Sequence, residues 1–192
     1  MVTELKSIFL SASIPLPERD PRYHESADII AIRDAVISLM DEILPRFRLI
    51  WGGHPSITPL VYHVIGHRGL GIQEYVTLYQ SKYFEKIYPE DNNQFKNVIQ
   101  TENTNDRESS LLLMRRAMFS SANFEAGIFI GGMDGVEKEF DLFREMHPKA
   151  KLFPIASTGA ASALIYERMS IKNTRLKNDY AYSSLFRDLL SQ

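Results

Sequence analysis

Residues 125–132 read EAGIFIGG, an apolar run with no polar side chain after its first residue, closed by paired glycines. A strand of this composition buries both of its faces, as strands of a parallel sheet covered by helices do. It is followed at 135–147 by GVEKEFDLFREMH, where Val136, Phe140 and Phe143 recur at helical spacing. The same alternation runs along the chain. SIFLSASI (7–14) reads as a buried first strand that takes up the amino-terminal stretch. From 26 to 44 apolar residues recur at helical spacing (Ile29, Ile32, Ala35, Val36, Leu39, Ile43), and Pro45 closes the run. FRLIW (47–51) is a second strand, ended by Gly52 and Gly53. ITPLVYHVIGH (57–67) follows as a helix, with Thr58 placed as N-cap and Pro59 at the first helical position. YVTLYQ (75–80) is a third strand, and 81–95 reads as an irregular surface connection. A weaker strand at 97–101 precedes a helix at 107–119. AKLFPIA (150–156) is the last strand and TGAASALIYERM (158–169) the helix after it.

This pattern predicts an α/β fold: a single Rossmann-like doubly wound sheet, mostly parallel, with helices on both faces. With 192 residues the chain suits one domain, 1–192. Residues 170–192 form a C-terminal helical extension, amphipathic at Tyr182, Leu185, Phe186 and Leu189, placed to pack on its own sheet, to form a dimer or to dock a partner. The 22 basic and 24 acidic residues give a net charge of −2, without the basic excess of a nucleic-acid protein. There is no cysteine, which excludes disulfides, thiolate chemistry and cysteine metal sites. No apolar run approaches the ~20 residues that cross a bilayer, and the amino terminus lacks the long apolar core of a leader. No membrane association and a cytoplasmic location are therefore expected.

Open parallel sheets bind ligands beyond the carboxyl ends of their strands, near the switch point in strand order. The candidate positions are Ser11 and Ser13, then Gly52, Gly53 and His54, then Gly131, Gly132, Met133, Gly135, Val136 and Glu137, and finally Ser157 and Thr158. WGGHPSIT and IGGMDGVE each follow a strand and open a helix. Glycine lets backbone N–H groups approach an anion, and a helix N-terminus adds free donors and partial positive charge. Any one such loop is as readily a plain turn; three on one sheet edge point to a phosphate or nucleotide pocket. None is a Walker loop, since no Gly-Lys-Ser/Thr follows, and none is a GxGxxG fingerprint. Ser11 is in no GxSxG elbow. His54 would touch phosphate or base, or lie at the surface. Trp51 would stack on a base or simply pack. Arg19, Asp20 and Arg22, after the first strand, would close over a ligand or stay solvated. His63 and His67 lie four apart without a metal-site pattern, so no metal is expected.

MRRAMFSSANFEAGIFIGGMDGVEKEF resembles the signature region of the Lonely Guy family, which has a helix arginine, an apolar strand and PGGxGTxxE. RLIWGGHPSITPLV is similar to that family's first strand and glycine loop. The resemblance, over residues 6–168, identifies the chain as a member of the wider SLOG superfamily, Rossmann-like domains that include ligand-sensing modules of bacterial defence systems. It implies paired glycines at Gly131 and Gly132, a third at Gly135 after a one-residue insertion, and the motif acid at Glu139. It implies a catalytic arginine at Arg115 or Arg116, and a homodimer or larger assembly. The motif proline is Ile130 here, its phosphate-binding threonine is Val136, and His54-Pro55 replaces a third glycine of the first loop.

In glycosidic cleavage a carboxylate near the anomeric carbon stabilises a cationic sugar while an arginine fixes the phosphate. Glu139 and Arg115 or Arg116 carry that chemistry; acids in a first helical turn also simply favour the helix dipole. Three functions follow. The expected one is a sensor that binds a nucleotide or nucleotide-derived ligand, such as one made from NAD, without turnover and with an effector protein as partner. The second is a nucleotide N-glycosidase or phosphoribohydrolase, with deoxyribosyltransferases, which share an IFLSAS-like first strand, as a related enzyme. The third is an interaction module with a vestigial pocket. No cofactor is expected.

Overall fold

The computed structural model of the protein describes residues 5–191, without the side chains of Leu70 and Ile72. Residues 1–4 of the amino-terminal stretch, and Gln192 of the carboxyl extension, lie outside the described residues. Six strands form one sheet: β1 (Ser7–Ser13), β2 (Arg48–Trp51), β3 (Val76–Ser81), β4 (Val98–Thr101), β5 (Phe124–Gly131) and β6 (Lys151–Ile155). Their order is β4-β3-β2-β1-β5-β6, and every neighbouring pair is parallel. The expected mostly parallel, Rossmann-like sheet is thus parallel throughout. The chain steps outward from β1 to β4 and then returns to β5 on the other side of β1. The switch point therefore lies between β1 and β5, where such folds open a crevice.

Side-chain alternation along the central strands feeds two cores. Ile8, Leu10, Ala126, Ile128 and Ile130 meet α2 (Ile29–Ile43) and α3 (Thr58–Arg68) on one face. Phe9 and Phe129 meet α4 (Arg107–Phe119) and α5 (Asp134–Met146) on the other. The second core is aromatic: Phe9 stacks on Phe143 with ring centroids 5.1 Å apart and meets Phe119 edge-on at 4.8 Å. Gly127 makes room for this cluster, because a Cβ there would stand 2.8 Å from Phe143 Cε1.

Helix ends follow local chemistry. Asp28 caps α2 by accepting from the Ala31 N–H, and Asp106 caps α4 by accepting from the Ser109 N–H. Thr58 does not serve as the expected N-cap. It is already helical, Ile57 precedes it, and its hydroxyl donates to the His54 carbonyl at 2.9 Å. α6 (Ala160–Arg168) follows β6. The extension forms α7 (Arg175–Asn178) and α8 (Tyr182–Leu190). Leu185, Phe186 and Tyr182 of α8 are buried in the core that holds α2, so the tail's apolar face is used within its own chain. Among the described residues no helix is long and apolar enough to cross a membrane.

Candidate functional site

A cleft of ≈ 280 Å³ opens over the carboxyl ends of β1, β2, β3 and β5. Its floor begins at Ser11, which alternation places on the same face of β1 as Phe9, beneath α5. Ser11 Oγ donates to Glu139 Oε2 at 2.5 Å. Arg115 Nε donates to Glu139 Oε1 at 3.3 Å. The arginine side chain is 7% exposed and the carboxylate 15%. Three elements distant in sequence thus meet on one carboxylate, with each of its oxygens engaged. Arg115 is the cleft-facing arginine. Arg116, next along α4, is exposed and lies outside the cleft wall.

α5 begins at Asp134, one residue before the predicted start, so Gly135 sits in the first helical turn rather than in the loop. No described side chain caps this helix. A Cβ on Gly135 would stand 3.6 Å from Arg115 Nη2. The guanidinium's outer edge, free of partners among the described residues, therefore lies over an uncapped helix N-terminus. Both are positive, an arrangement chemically able to receive an anion. Met133 and Val136 line the same wall.

The loop after β2 supplies the opposite side. Gly53 has φ +66°, and a Cβ there would stand 2.2 Å from Gln80 Nε2, whose amide donates to the Gly52 carbonyl at 3.2 Å. This clamps the loop to the end of β3. His54 Nδ1 accepts from the Ser56 N–H at 3.2 Å and sits 2.8 Å from Ser56 Oγ, which accepts from the Ile14 N–H at 3.0 Å. Burial holds the imidazole pKa down to about 4. At neutral pH His54 is therefore uncharged, and with Nδ1 accepting, Nε2 carries the proton and is a donor.

This has a pH consequence. Above the ordinary histidine pKa of ~6.5 both folded and unfolded chains carry a neutral imidazole, so the shift costs nothing. As pH falls toward the folded value the unfolded chain gains a proton first, and stability drops. Between pH 6.5 and 5, His54→Asn should lose about 1.5 kcal/mol less unfolding free energy than the parent. Urea titrations at both pH values measure this, and equal losses in the two proteins would refute a His54 held neutral by its half-buried surroundings.

Trp51, Phe84, Ile87, Tyr88, Pro89, Leu111 and Met114 give the cleft an apolar, aromatic side. Arg19 and Arg107 add cations at the rim.

Other predicted positions serve the framework. Gly131 and Gly132 adopt φ +56° and +91°. The Gly132 N–H donates to the Ser13 carbonyl at 2.8 Å, and its carbonyl accepts from the Ala161 N–H at 3.2 Å. A Cβ on Gly132 would fall 2.2 Å from Val136 Cγ2, so the glycine makes room for the protein's own valine. Thr158 accepts from the Gly131 N–H at 2.9 Å, and Ser157 lies 3.1 Å from the Tyr182 hydroxyl, tying in α8. Glu137 accepts from the Tyr23 hydroxyl. Tyr23 belongs to the one-turn helix α1 (Pro21–His24), where Arg22 bonds to both Tyr23 and Asp20. Burial, reinforced by Glu137, pushes the Tyr23 phenol well above its ordinary pKa, so it remains a donor. Gly131, Gly132, Glu137, Ser157 and Thr158 all lie outside the cleft wall, while Ser11, Ser13, Gly52, Gly53, His54, Met133, Gly135, Val136, Arg115 and Glu139 line it. Among the described residues no group of three histidine or carboxylate side chains is placed to hold a metal.

A family model for the SLOG cluster3 family matches residues 22–190. The chain belongs to the SLOG cluster3 family. Arg115 and Glu139 fall within the matched region, whereas Ser11 and Ser13 on β1 precede it. No curated protein matches the chain. Sequence reasoning missed the aromatic segment Phe84–Pro89 as part of the site of this SLOG domain, and missed Leu111 and Met114 as well. The last two were legible in principle: Arg107, Leu111, Met114 and Arg115 form a stripe along one face of α4.

Proposed function

We propose that this SLOG domain is a sensor that binds a nucleotide-derived small molecule in the cleft over β1, β2 and β5. The observation that carries the proposal is the cleft's polarity. An anion subsite, made by Arg115 over the uncapped start of α5, faces an aromatic side made by Phe84 and Tyr88, whereas Trp51 is buried against Phe95. A nucleotide has the same two ends, a phosphate and a flat ring. The volume is at the lower edge of the ~300–1,000 Å³ usual for small-molecule sites, which suits one nucleotide unit better than two. Two features favour binding without turnover. Both oxygens of Glu139 are already engaged, and Val136 presents methyl groups where the resemblance implies a phosphate-binding hydroxyl. Assembly as a homodimer or larger, and relay to an effector protein, belong to the same proposal.

A second proposal, a nucleotide N-glycosidase, is favoured by one observation: the Glu139 carboxylate lines the same cleft beside a buried arginine. One experiment separates the two. AMP, ADP-ribose, cyclic ADP-ribose and NAD are titrated calorimetrically, and each mixture is then chromatographed for free base. Saturable binding of at least one compound without base release is expected. Base release that Glu139→Gln abolishes would make the protein a glycosidase. Absence of both binding and release would overturn the nucleotide proposal altogether.

A further inference from the structure

At the opposite end of the sheet lies a second cavity, of ≈ 320 Å³. It sits beside the amino ends of β1, β2 and β3, on the face that carries α4, and the turn after that helix rims it. Ser7 and Arg48 are paired neighbours at the starts of β1 and β2. Thr77 and Tyr79 follow on β3, and Asn123 comes from the turn before β5.

Among the described residues, the side chains of these five find no hydrogen-bond or ion-pair partner. For exposed residues that would mean little. Ser7 and Tyr79, however, are each only 4% exposed, and buried polar groups are ordinarily bonded. Neither hydroxyl is among the polar atoms sealed without a partner, so each opens onto the cavity. The Arg48 guanidinium stands at the rim with no described carboxylate beside it. Lys6, also in the wall, bonds Glu125 at 2.7 Å. Among the described residues the wall is rich in donors, and Arg48 has no carboxylate partner.

We propose that this cavity is a second binding site, for a small anion that bears a phosphate or carboxylate group. Arg48 pairs with the oxyanion, and the Ser7, Thr77 and Tyr79 hydroxyls donate to it. Among the described residues, none lines both this cavity and the first cleft, although Ile50 and Tyr79 here are the chain neighbours of Trp51 and Gln80 there.

Amide-resolved NMR titration of the full chain with inorganic phosphate and, separately, succinate tests the proposal. Saturable shifts are expected with at least one of them, concentrated at residues 6–7, 48, 77–79 and 121–123. The more effective titrant identifies phosphate or carboxylate as the recognised group. Arg48→Gln should weaken the apparent affinity roughly tenfold or more, as loss of a charge-assisted bond predicts. Tyr79→Phe, which keeps the packing and removes one donor, should weaken it severalfold. The absence of saturable shifts with both anions would overturn the site. So would shifts centred on residues 133–139, or an affinity unchanged in both variants.

Discussion

Gly159→Ala will destabilise this protein severely. Gly159 joins the turn after β6 to α6 with φ +71° and ψ −157°, a region open essentially to glycine alone. Space is as restrictive as conformation: a Cβ would stand 1.8 Å from the Ser26 carbonyl oxygen and 3.1 Å from Ala27 Cα. Both obstacles are backbone, so no rotamer change relieves them. The segment cannot move away freely either, because the Ala160 N–H donates to Ser26 Oγ at 3.0 Å and the Asp28 N–H donates to the Thr158 carbonyl at 3.2 Å. Strain at such a site and overpacking each cost about 1–3 kcal/mol, and together they give an expected loss of about 3–5 kcal/mol. Urea denaturation should show a lower midpoint with an unchanged slope. Gly66→Ala is the control. Gly66 lies in α3 with nothing within 4 Å of a Cβ, and the same methyl should there stabilise by about 0.5–1 kcal/mol. A Gly159→Ala protein as stable as the parent would show that the turn relaxes at little cost.

That turn also shows where sequence legibility stops. TGAAS announces a strand-to-helix turn, and the glycine is needed there, but nothing local reveals that Ser26 is the obstacle. The sheet was legible because its signal is periodic and local: apolar runs such as SIFLSAS and EAGIFIG sit where β1 and β5 form, and the helical repeats in α2, α4 and α5 are as clear. The site was legible where backbone topology alone decides it. Parallel strands bring Ser11, Gly53 and Gly135 to one edge whatever their side chains do. It was not legible where a partner distant in sequence decides a side chain's direction. Glu137 and Glu139 look alike in GVEKEF, yet Tyr23 takes the first and Arg115 with Ser11 the second. The connection at 81–95 lacked any period because it folds as short 3-10 turns. Only the tertiary fold presents its Phe84 and Tyr88 to the cleft.

Removing the charges of Arg115 and Glu139 together will cost less than the sum of removing each alone. The pair is largely withdrawn from water, at 7% and 15% side-chain exposure. Breaking a buried pair by deleting one member strands the other charge, whereas deleting both charges leaves nothing to solvate. Arg115→Met keeps the length of the side chain and leaves Glu139 with only the Ser11 hydroxyl, at an expected cost of about 2–4 kcal/mol. Glu139→Gln retains an acceptor for Ser11 but strands the guanidinium, at about 1–3 kcal/mol. The double variant should be less destabilised than the sum by about 1–3 kcal/mol, the coupling expected of contacting residues. Denaturant midpoints of all four proteins close the cycle, and additivity within about 0.5 kcal/mol would mean that the pair is solvated and contributes little. The same four proteins bear on function, because the two residues are assigned different tasks. In the proposed sensor Arg115 provides the anion subsite, so Arg115→Met should lose nucleotide affinity roughly tenfold or more. In a sensor Glu139 chiefly orients that arginine, so Glu139→Gln should retain most of the affinity. If affinity instead survives Arg115→Met and only base release depends on Glu139, the carboxylate is the working group and the cleft is a glycosidase site.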